Sequence, residues 1–284
     1  MNTTAASPGR FGLIVGAMKC GTTSLFNYLA AHPEVAPCRI KEPNYFSSDD
    51  FRPHDPQSYF ALWDWKPGVH KIAIEASVNY AKIPTNPNCA ERIAQFSDLD
   101  FRFIYCMRNP IDRIESHVYH GLYAGWTNPI EAGVSDHALN VSRYAMQLDA
   151  YVERFGRDRI LLLVLEEFQM APAEELRRVC EFLEIDPSFH LTDHRSHNRA
   201  SDHYLERPLW NRLRNVDSLR RLSHLIPAKL RRTILRSTGR KLDVRRRLTP
   251  VERAEISEAL HNGLVRLKSD YGIDAAAIWG IELP

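Results

Sequence analysis

The sequence lacks any apolar run of the roughly 18 to 20 residues that a membrane-spanning helix needs. Its first ten residues contain one arginine and no apolar segment of the kind found in secretory signals. Internal repeats and low-complexity segments are also absent. We therefore expect a soluble, cytoplasmic, globular protein without a transmembrane segment, and a hydrophobic content of 44% is sufficient for a sizeable core.

Cysteine is scarce and poorly spaced for cross-linking or metal binding. The five cysteines are odd in number and include no C-x-x-C pair, whereas a disulfide framework or a zinc site usually needs closer pairs. Two histidine pairs, His117 with His120 and His194 with His197, lack a third ligand at a recognisable spacing. We predict reduced thiols and no bound metal.

Acidic residues are nearly absent from one stretch, Arg212–Arg247. It contains thirteen Lys or Arg residues and two acids, which leaves the rest of the chain at about −9. One interpretation is a solvated helix face, because apolar residues recur at helical spacing from Leu209 to Leu222. The other is a docking surface for an anionic partner such as an acidic substrate, a carrier protein or membrane lipid. We do not expect nucleic acid as the partner.

Apolar runs in the first two thirds of the chain are continuous rather than alternating, which is typical of parallel strands buried on both faces. We predict strands at Phe11–Val15, Lys71–Ala76, Phe101–Met107 and Arg159–Leu165. We predict helices at Thr22–Ala31, Asn88–Phe96, Ile111–Tyr123, Ser142–Phe155, Ala173–Leu183 and Val251–Tyr271. The last helix follows a capping box of Thr249, Pro250 and Glu252 and ends at Gly272. Alternating strands and helices predict an α/β fold with a central, mostly parallel sheet flanked by helices.

The segment FGLIVGAMKCGTTSLFNYLAAHP, at 11–33, predicts a strand, a glycine-bounded turn and a helix. It nearly matches the Walker A motif, but Thr22 stands where the lysine belongs and Lys19 lies inside the loop. Gly16 and Gly21 permit a tight turn, and the helix N-terminus offers N–H groups to an anion. Glu75 is a poor magnesium partner because it lies within its strand. We predict a P-loop-containing three-layer fold whose loop holds a phosphate differently from a P-loop kinase.

The loop resembles that of the sulfotransferases that use 3′-phosphoadenosine 5′-phosphosulfate (PAPS). In that family the loop after the first strand runs approximately Lys-x-Gly-Thr-[ST]-[ST]. The matching positions are Lys19, Cys20, Gly21, Thr22, Thr23 and Ser24. The resemblance implies that these residues bind the donor PAPS and that Lys19 is also catalytic, near the oxygen that bridges phosphorus and sulfur.

A second segment, FRFIYCMRNPIDRIESHVYH at 101–120, is similar to the family's 3′-phosphate motif. That motif has an arginine at the end of a strand, a proline, and a serine eight residues after the arginine. Arg108 and Ser116 occupy these positions. A guanidinium binds phosphate bidentately and a hydroxyl completes the shell, so the resemblance implies that both residues bind PAPS and its product, adenosine 3′,5′-bisphosphate (PAP).

Two further segments, KEPNYF at 41–46 and EASVNY at 75–80, resemble the carbohydrate branch of the family, typified by heparan sulfate sulfotransferases, and its bacterial relatives. The resemblance implies that Glu42 is the catalytic base. Glu75 remains a competitor, and a surface ion pair of Glu42 with Lys41 or Arg39 is the structural alternative. One departure weakens the expectation of a glycosaminoglycan substrate, because Ala76 stands where heparan enzymes often have lysine.

The resemblance implies one sulfotransferase domain over residues 1–284. We expect 11–168 to be the nucleotide-binding core, 188–248 an irregular basic region that contributes to the acceptor site, and 249–284 a C-terminal helix and tail. The implied reaction transfers a sulfuryl group from PAPS to a hydroxyl of a sugar, a lipid or a carrier-bound metabolite, without a metal. A P-loop kinase and a non-catalytic nucleotide-binding or docking protein are the alternatives.

Overall fold

A computed structural model describes residues 7–53, 55–124, 134–189, 204–205, 240–241 and 247–281. Its strands are β1 (Arg10–Gly16), β2 (Val35–Pro37), β3 (Ile72–Ala76), β4 (Asp100–Met107), β5 (Ile160–Val164), β6 (Tyr204–Leu205) and β7 (Arg240–Lys241). The first five form a parallel sheet in the order β2-β3-β1-β4-β5. Strands β6 and β7 form a separate antiparallel pair.

Helices flank the five-stranded sheet. They are α1 (Thr22–Ala30), α2 (Pro56–Phe60), α3 (Cys89–Ala94), α4 (Pro110–Ala124), α5 (Asp136–Ser142), α6 (Tyr144–Phe155), α7 (Leu165–Met170), α8 (Pro172–Leu183), α9 (Pro250–Tyr271) and α10 (Ala275–Trp279). Short 3-10 turns lie at Tyr45–Ser47, Val78–Ala81 and Arg157–Arg159. Helix α9 packs on α5 and α6, whereas α1 lies against β2 and β3. The predicted α/β fold is confirmed.

Differences from the predicted elements occur where the pattern is short. Strand β2 has only three residues and ends in proline at Pro37, so it shows no apolar run. The helix predicted to begin at Ser142 is interrupted there, because Arg143 leaves the helical conformation with φ −80° and ψ 69°. Helices α2, α5, α7 and α10, of five to seven residues, were not predicted.

An aromatic cluster fills the core beside β1. Phe11 and Tyr59 have ring centroids 5.3 Å apart, and Phe46 lies 4.9 Å from Tyr59 and 5.6 Å from Phe96. All four rings are buried. Because Phe46 belongs to the segment after β2, its burial anchors that segment against the sheet.

The chain leaves β1 and β4, which are neighbours, toward opposite edges of the sheet. After β1 it continues through α1 to β2 at one edge, and after β4 it continues through α4, α5 and α6 to β5 at the other edge. In an open parallel sheet, a crevice forms outside the carboxyl ends of strands at such a reversal. The loops that begin after Gly16 and Met107 therefore border the same crevice.

Several predictions concern residues outside the described ranges. Most of the basic stretch Arg212–Arg247 lies there, as do His194 and His197. The division into a nucleotide-binding core, a basic region and a tail stays a prediction. Among the described residues, no helix is both long and apolar enough to span a bilayer.

The capping box predicted before α9 is present. Thr249 Oγ1 accepts a hydrogen bond from Glu252 N at 3.2 Å, and Glu252 Oε2 accepts one from Thr249 N at 2.8 Å. Pro250 occupies the first helical position, and Gly272 ends the helix with φ 76°. These contacts satisfy N–H groups that have no partner within the helix.

We expect Thr249→Ala to lower the free energy of unfolding by about 1 kcal/mol, because the first turn of α9 loses its side-chain acceptor. Thr249→Ser keeps the hydroxyl and should retain most of the stability. Urea unfolding of the two variants and the wild type measures both effects, and equal losses in the two variants would contradict the capping role.

Candidate active site

The loop between β1 and α1 has a backbone that depends on glycine. Gly21, the N-cap of α1, has φ 83°, and a Cβ there would lie 2.8 Å from Leu165 Cδ1. Thr22, Thr23 and Ser24 form the first turn of α1, with Thr22 buried and the other two half-buried. A helix N-terminus leaves its first N–H groups without intrahelical partners, so this turn is suited to an anion.

Lys19 lies in the middle of this loop in left-handed backbone conformation, with φ 72°. Burial lowers the pKa of its ammonium group, and the positive charge of Arg108 lowers it further. Both effects disfavour the charged form of Lys19 in the free protein. A bound anion would offset them, as expected of a phosphate-binding lysine.

Arg108 follows β4 and reaches the loop after β1. Its Nη1 donates a hydrogen bond to the carbonyl oxygen of Lys19 at 3.4 Å, and its own carbonyl accepts one from Tyr144 OH at 2.9 Å. The buried Nε of Arg108 has no partner among the described residues. Ser116 is half-buried, two turns along α4. The structure therefore brings Arg108 to the predicted loop and leaves one N–H group of its guanidinium without a partner among the described residues.

Cys20 differs from the other loop residues. Its thiol is 1% exposed and lies 3.8 Å from Tyr144 OH, while its amide donates to the carbonyl of Ala17 at 3.2 Å. Burial raises the pKa of the thiol to about 11, rather than the helix N-terminus lowering it. Contact between Cys20 and the donor PAPS stays a prediction. The side chain of Cys20 packs in the protein interior.

Arg113 is a buried cation that the sequence analysis missed. It is fully buried on α4, where Nε donates to Ser142 Oγ at 2.5 Å and Nη2 donates to the carbonyl of Ala138 at 2.5 Å. Its Nη1 has no partner among the described residues. Burial lowers the pKa of Arg113, and the positive charge of Arg113 lowers the pKa of Lys19. Arg113 therefore adds positive potential beneath the loop.

Glu42 lies beyond the carboxyl end of β3, where its amide donates to the carbonyl of Ala76 at 3.0 Å. Its side chain is 37% exposed and pairs with Lys41 Nζ at 2.6 Å, the pairing considered as the structural alternative. Arg39 pairs with Asp64 instead. Exposure leaves Glu42 accessible to an acceptor, so the ion pair and a role as base are compatible.

Lys82 is a second lysine near Glu42 that the sequence analysis missed. Its Nζ donates to Asn79 Oδ1 at 2.7 Å. Burial lowers its pKa, and the carboxylate of Glu42 opposes that shift. Lys82 follows the 3-10 turn after β3 and belongs to none of the motifs found in the sequence.

Glu75, the competing base, is enclosed. It is 1% exposed, and Tyr59 OH, Ser77 Oγ and Tyr80 OH all donate to its carboxylate. Burial raises its pKa to about 7 against the opposing effect of these hydrogen bonds. An acceptor hydroxyl has no route to this carboxylate within the described packing, so the geometry favours Glu42.

Two histidines, His117 and His137, lie near Arg113. Burial, reinforced by Arg113 and His137, lowers the pKa of His117 to about 3, so its ring stays neutral. The rings of His117 and His137 lie 5.6 Å apart. Over the described ranges, no three metal-ligating side chains cluster.

Glu166 and Trp279 connect the end of the chain to the segment after Arg108. Glu166 Oε1 accepts a hydrogen bond from Asn109 N at 2.9 Å, and its Oε2 accepts one from Trp279 Nε1 at 3.1 Å. The first hydrogen bond joins residues more than fifty positions apart in the sequence, and the second joins residues more than one hundred apart. A local sequence pattern therefore could not predict either of them.

The fold is that of a P-loop-containing α/β protein, with Lys19, Arg108 and Arg113 close together at one edge of its sheet. The sulfotransferase domain family matches residues 12–236. The mouse heparan sulfate glucosamine 3-O-sulfotransferase 3A1 is 26% identical over 185 residues, covering 60% of this chain and 44% of that protein. Mouse 3-O-sulfotransferase 6 is 26% identical over 199 residues, covering 63% and 54%. This chain therefore spans about half the length of these relatives.

A solved sulfotransferase from Alicyclobacillus acidocaldarius has a similar fold, with a TM-score of 0.63 and 23% identity. The alignment covers 96% of this chain and 99% of that one. Because the family match includes most of the chain, the protein belongs to the sulfotransferase family, whose members use PAPS.

We expect Glu75 to make stability depend on pH. An acid whose pKa is raised by folding binds its proton more tightly in the folded state, so stability is greatest below its ordinary pKa and falls as pH rises through the folded value. Between pH 4.5 and about 7, the wild type should lose on the order of 3 kcal/mol more than Glu75→Gln. Urea unfolding across this range measures the difference, and parallel pH profiles would contradict it.

Proposed function

We propose that this chain is a PAPS-dependent sulfotransferase that acts on a hydroxyl, most favourably that of a sugar, with lipids and carrier-bound metabolites as other acceptors. The observation that carries the proposal is the contact of Arg108 with Lys19, at 3.4 Å, beside an arginine Nε that lacks a partner among the described residues. Family membership supports the reaction class.

The residues of the crevice fit an adenosine bisphosphate donor. Arg108, with Ser116, would hold the 3′-phosphate, since a guanidinium binds phosphate bidentately. Lys19 and the first turn of α1, with Thr22, Thr23 and Ser24, would hold the 5′-phosphosulfate. Gly21 allows the left-handed turn of the loop and leaves room for the side chain of Leu165. Bound PAPS supplies the sulfuryl group and a phosphate leaving group.

Residues of this chain would then move one proton and stabilise one developing charge. Glu42 accepts the proton of the acceptor hydroxyl as the hydroxyl oxygen bonds to sulfur and the bond from sulfur to the bridging oxygen breaks. The electron pair of the broken bond stays on the leaving phosphate, and Lys19 neutralises that charge. Lys41, at 2.6 Å from Glu42, orients the carboxylate.

A sugar acceptor is supported by the relatives, which are named as heparan sulfate sulfotransferases. The segment after β2, with Glu42, and Lys82 form a charged acceptor side. We infer that Lys82 offers a cation in the region where Ala76 replaces the lysine of heparan enzymes.

The alternatives are less well supported. A P-loop kinase needs a magnesium-binding acid at the phosphate edge, and Glu75 is enclosed by hydroxyl groups. A non-catalytic docking protein would depend on Arg212–Arg247, most of which lies outside the described residues. The anionic partner of that stretch and the cytoplasmic location stay predictions.

Nucleotide binding should require the 3′-phosphate. At ~100 times its dissociation constant, PAP should stabilise the wild type by ~2.7 kcal/mol without metal, whereas ADP at the same concentration should stabilise less. Arg108→Ala should lose the response to PAP. Arg102→Ala is the control, because Arg102 lies near the amino end of β4 and bonds to the carbonyl of Phe182.

Thermal unfolding with PAP, ADP, or ATP plus magnesium measures these differences. Stabilisation by ATP with magnesium but not by PAP would favour the kinase. An equal response to PAP in Arg108→Ala and Arg102→Ala would show that Arg108 does not bind the 3′-phosphate.

Removing the proposed base should abolish transfer without weakening donor binding. Glu42→Gln should lower kcat by roughly 100-fold or more, since general-base catalysis contributes 10²–10⁴-fold, and should leave the PAP-induced shift in Tm unchanged. Glu34→Gln is a matched control, because Glu34 also pairs with a lysine, Lys71, at 2.7 Å but lies before β2 at the amino edge.

Sulfate transfer from radiolabelled PAPS to an N-sulfated, O-desulfated heparan polysaccharide measures the rate. Full activity of Glu42→Gln would exclude Glu42 as the base. If the wild type binds PAP and transfers to no sugar, lipid or carrier-bound hydroxyl, the binding-protein alternative is favoured.

A further inference from the structure

Three hydroxyl groups enclose the carboxylate of Glu75. Tyr59 OH donates to Oε1 at 2.8 Å, Ser77 Oγ donates to Oε2 at 2.8 Å, and Tyr80 OH lies 3.2 Å from both oxygens. All four side chains are buried. The ionised form of this carboxylate only accepts hydrogen bonds, so each hydroxyl then directs its hydrogen toward Glu75 and leaves its oxygen lone pairs for other donors.

Two of the three hydroxyl oxygens face the segment that carries Glu42. Ser77 Oγ accepts a hydrogen bond from Asn44 N at 3.2 Å, and Tyr80 OH accepts one from Phe46 N at 3.3 Å. Among the described residues, the hydroxyl of Tyr59 bonds only to Glu75. Glu75 thus sets the orientation of two acceptors for backbone N–H groups of the segment 42–46.

This segment needs such support because its backbone is strained. Glu42 has φ 59° and Asn44 has φ 55°, a left-handed conformation that asparagine adopts readily but that is unfavourable for glutamate. Two further hydrogen bonds hold this segment. Glu42 N donates to the carbonyl of Ala76 at 3.0 Å, and Asn44 Nδ2 donates to the carbonyl of Glu42 at 2.9 Å. These hydrogen bonds help to hold the two left-handed residues in place.

We propose that Glu75 is a positioning residue for Glu42, acting through the hydroxyl groups of Ser77 and Tyr80 on the backbone of the segment 42–46. The inference rests on the proposed function, in which Glu42 is the base. It gives Glu75 a role in the same reaction that does not require contact with the acceptor.

The two tyrosines allow a matched test. Tyr80→Phe removes one hydroxyl that touches both Glu75 and Phe46 N, whereas Tyr59→Phe removes one that touches Glu75 alone. Both rings are fully buried, so both variants lose a buried hydrogen bond to the same carboxylate. Ser77→Ala is a second variant that removes the acceptor of Asn44 N.

The first readout needs no acceptor. Amide hydrogen exchange of the segment 42–46 should become at least about ten-fold faster in Tyr80→Phe and Ser77→Ala than in the wild type and Tyr59→Phe. Unfolding midpoints show whether the two tyrosine variants are similarly stable. The second readout is transfer from PAPS to the heparan polysaccharide, where kcat should fall roughly ten-fold or more in Tyr80→Phe and Ser77→Ala. The KM for PAPS should stay unchanged.

Equal exchange and equal kcat in Tyr80→Phe and Tyr59→Phe would overturn the inference, because the network would then serve stability alone. Faster exchange in Tyr80→Phe with an unchanged kcat would also overturn it. A wild type that transfers nothing to the polysaccharide would contradict the proposed acceptor, and hydrogen exchange would then decide the inference separately.

Discussion

Backbone hydrogen bonds beyond the ends of the strands hold the loops of the site at one edge of the sheet. Ala17 N donates to the carbonyl of Cys106 at 2.7 Å, Ser77 N to that of Ile14 at 3.2 Å, and Glu42 N to that of Ala76 at 3.0 Å. These bonds connect the loop after β1 with β4, β3 with β1, and the segment after β2 with β3. The loops that form the donor side and the acceptor side of the proposed reaction are therefore connected by hydrogen bonds. We expect this connection to position the reacting side chains before any ligand binds.

Positive charge in this frame is compensated incompletely within the described chain. Arg108 and Arg113 lie close enough to Lys19 to lower its pKa, and one nitrogen of each of these two guanidinium groups lacks a partner among the described residues. Burying a cation without a counter-ion costs free energy, and a bound anion would offset that cost. Across the crevice, Glu42 is paired with Lys41, while Glu75 is satisfied by hydroxyl groups. The two carboxylates thus differ in environment, one accessible and one enclosed, and on this difference we base the proposal of a chemical role for Glu42 and a supporting role for Glu75.

Sequence motifs point to those parts of the candidate site that lie in continuous segments. Lys19 and Arg108 each follow a long buried strand, so the strand pattern and the motif support one another. The fold was predictable for the same reason, because four of the five sheet strands are continuous apolar runs. Tyr144, Arg113 and Glu166 were missed because they act through contacts with residues distant in sequence, which neither periodicity nor spacing reveals. Strand β2 was missed because three residues are too few for a pattern.

We propose that one edge of the sheet holds both ends of an adenosine bisphosphate. A crystal structure of the chain with PAP tests it most directly. Our account predicts the 3′-phosphate within hydrogen-bond distance of Arg108 Nε and Ser116 Oγ, and the 5′-phosphate against Lys19 and the first turn of α1. A nucleotide bound away from this crevice, or one whose 3′-phosphate faces solvent while Arg108 Nε stays unpartnered, would contradict the account.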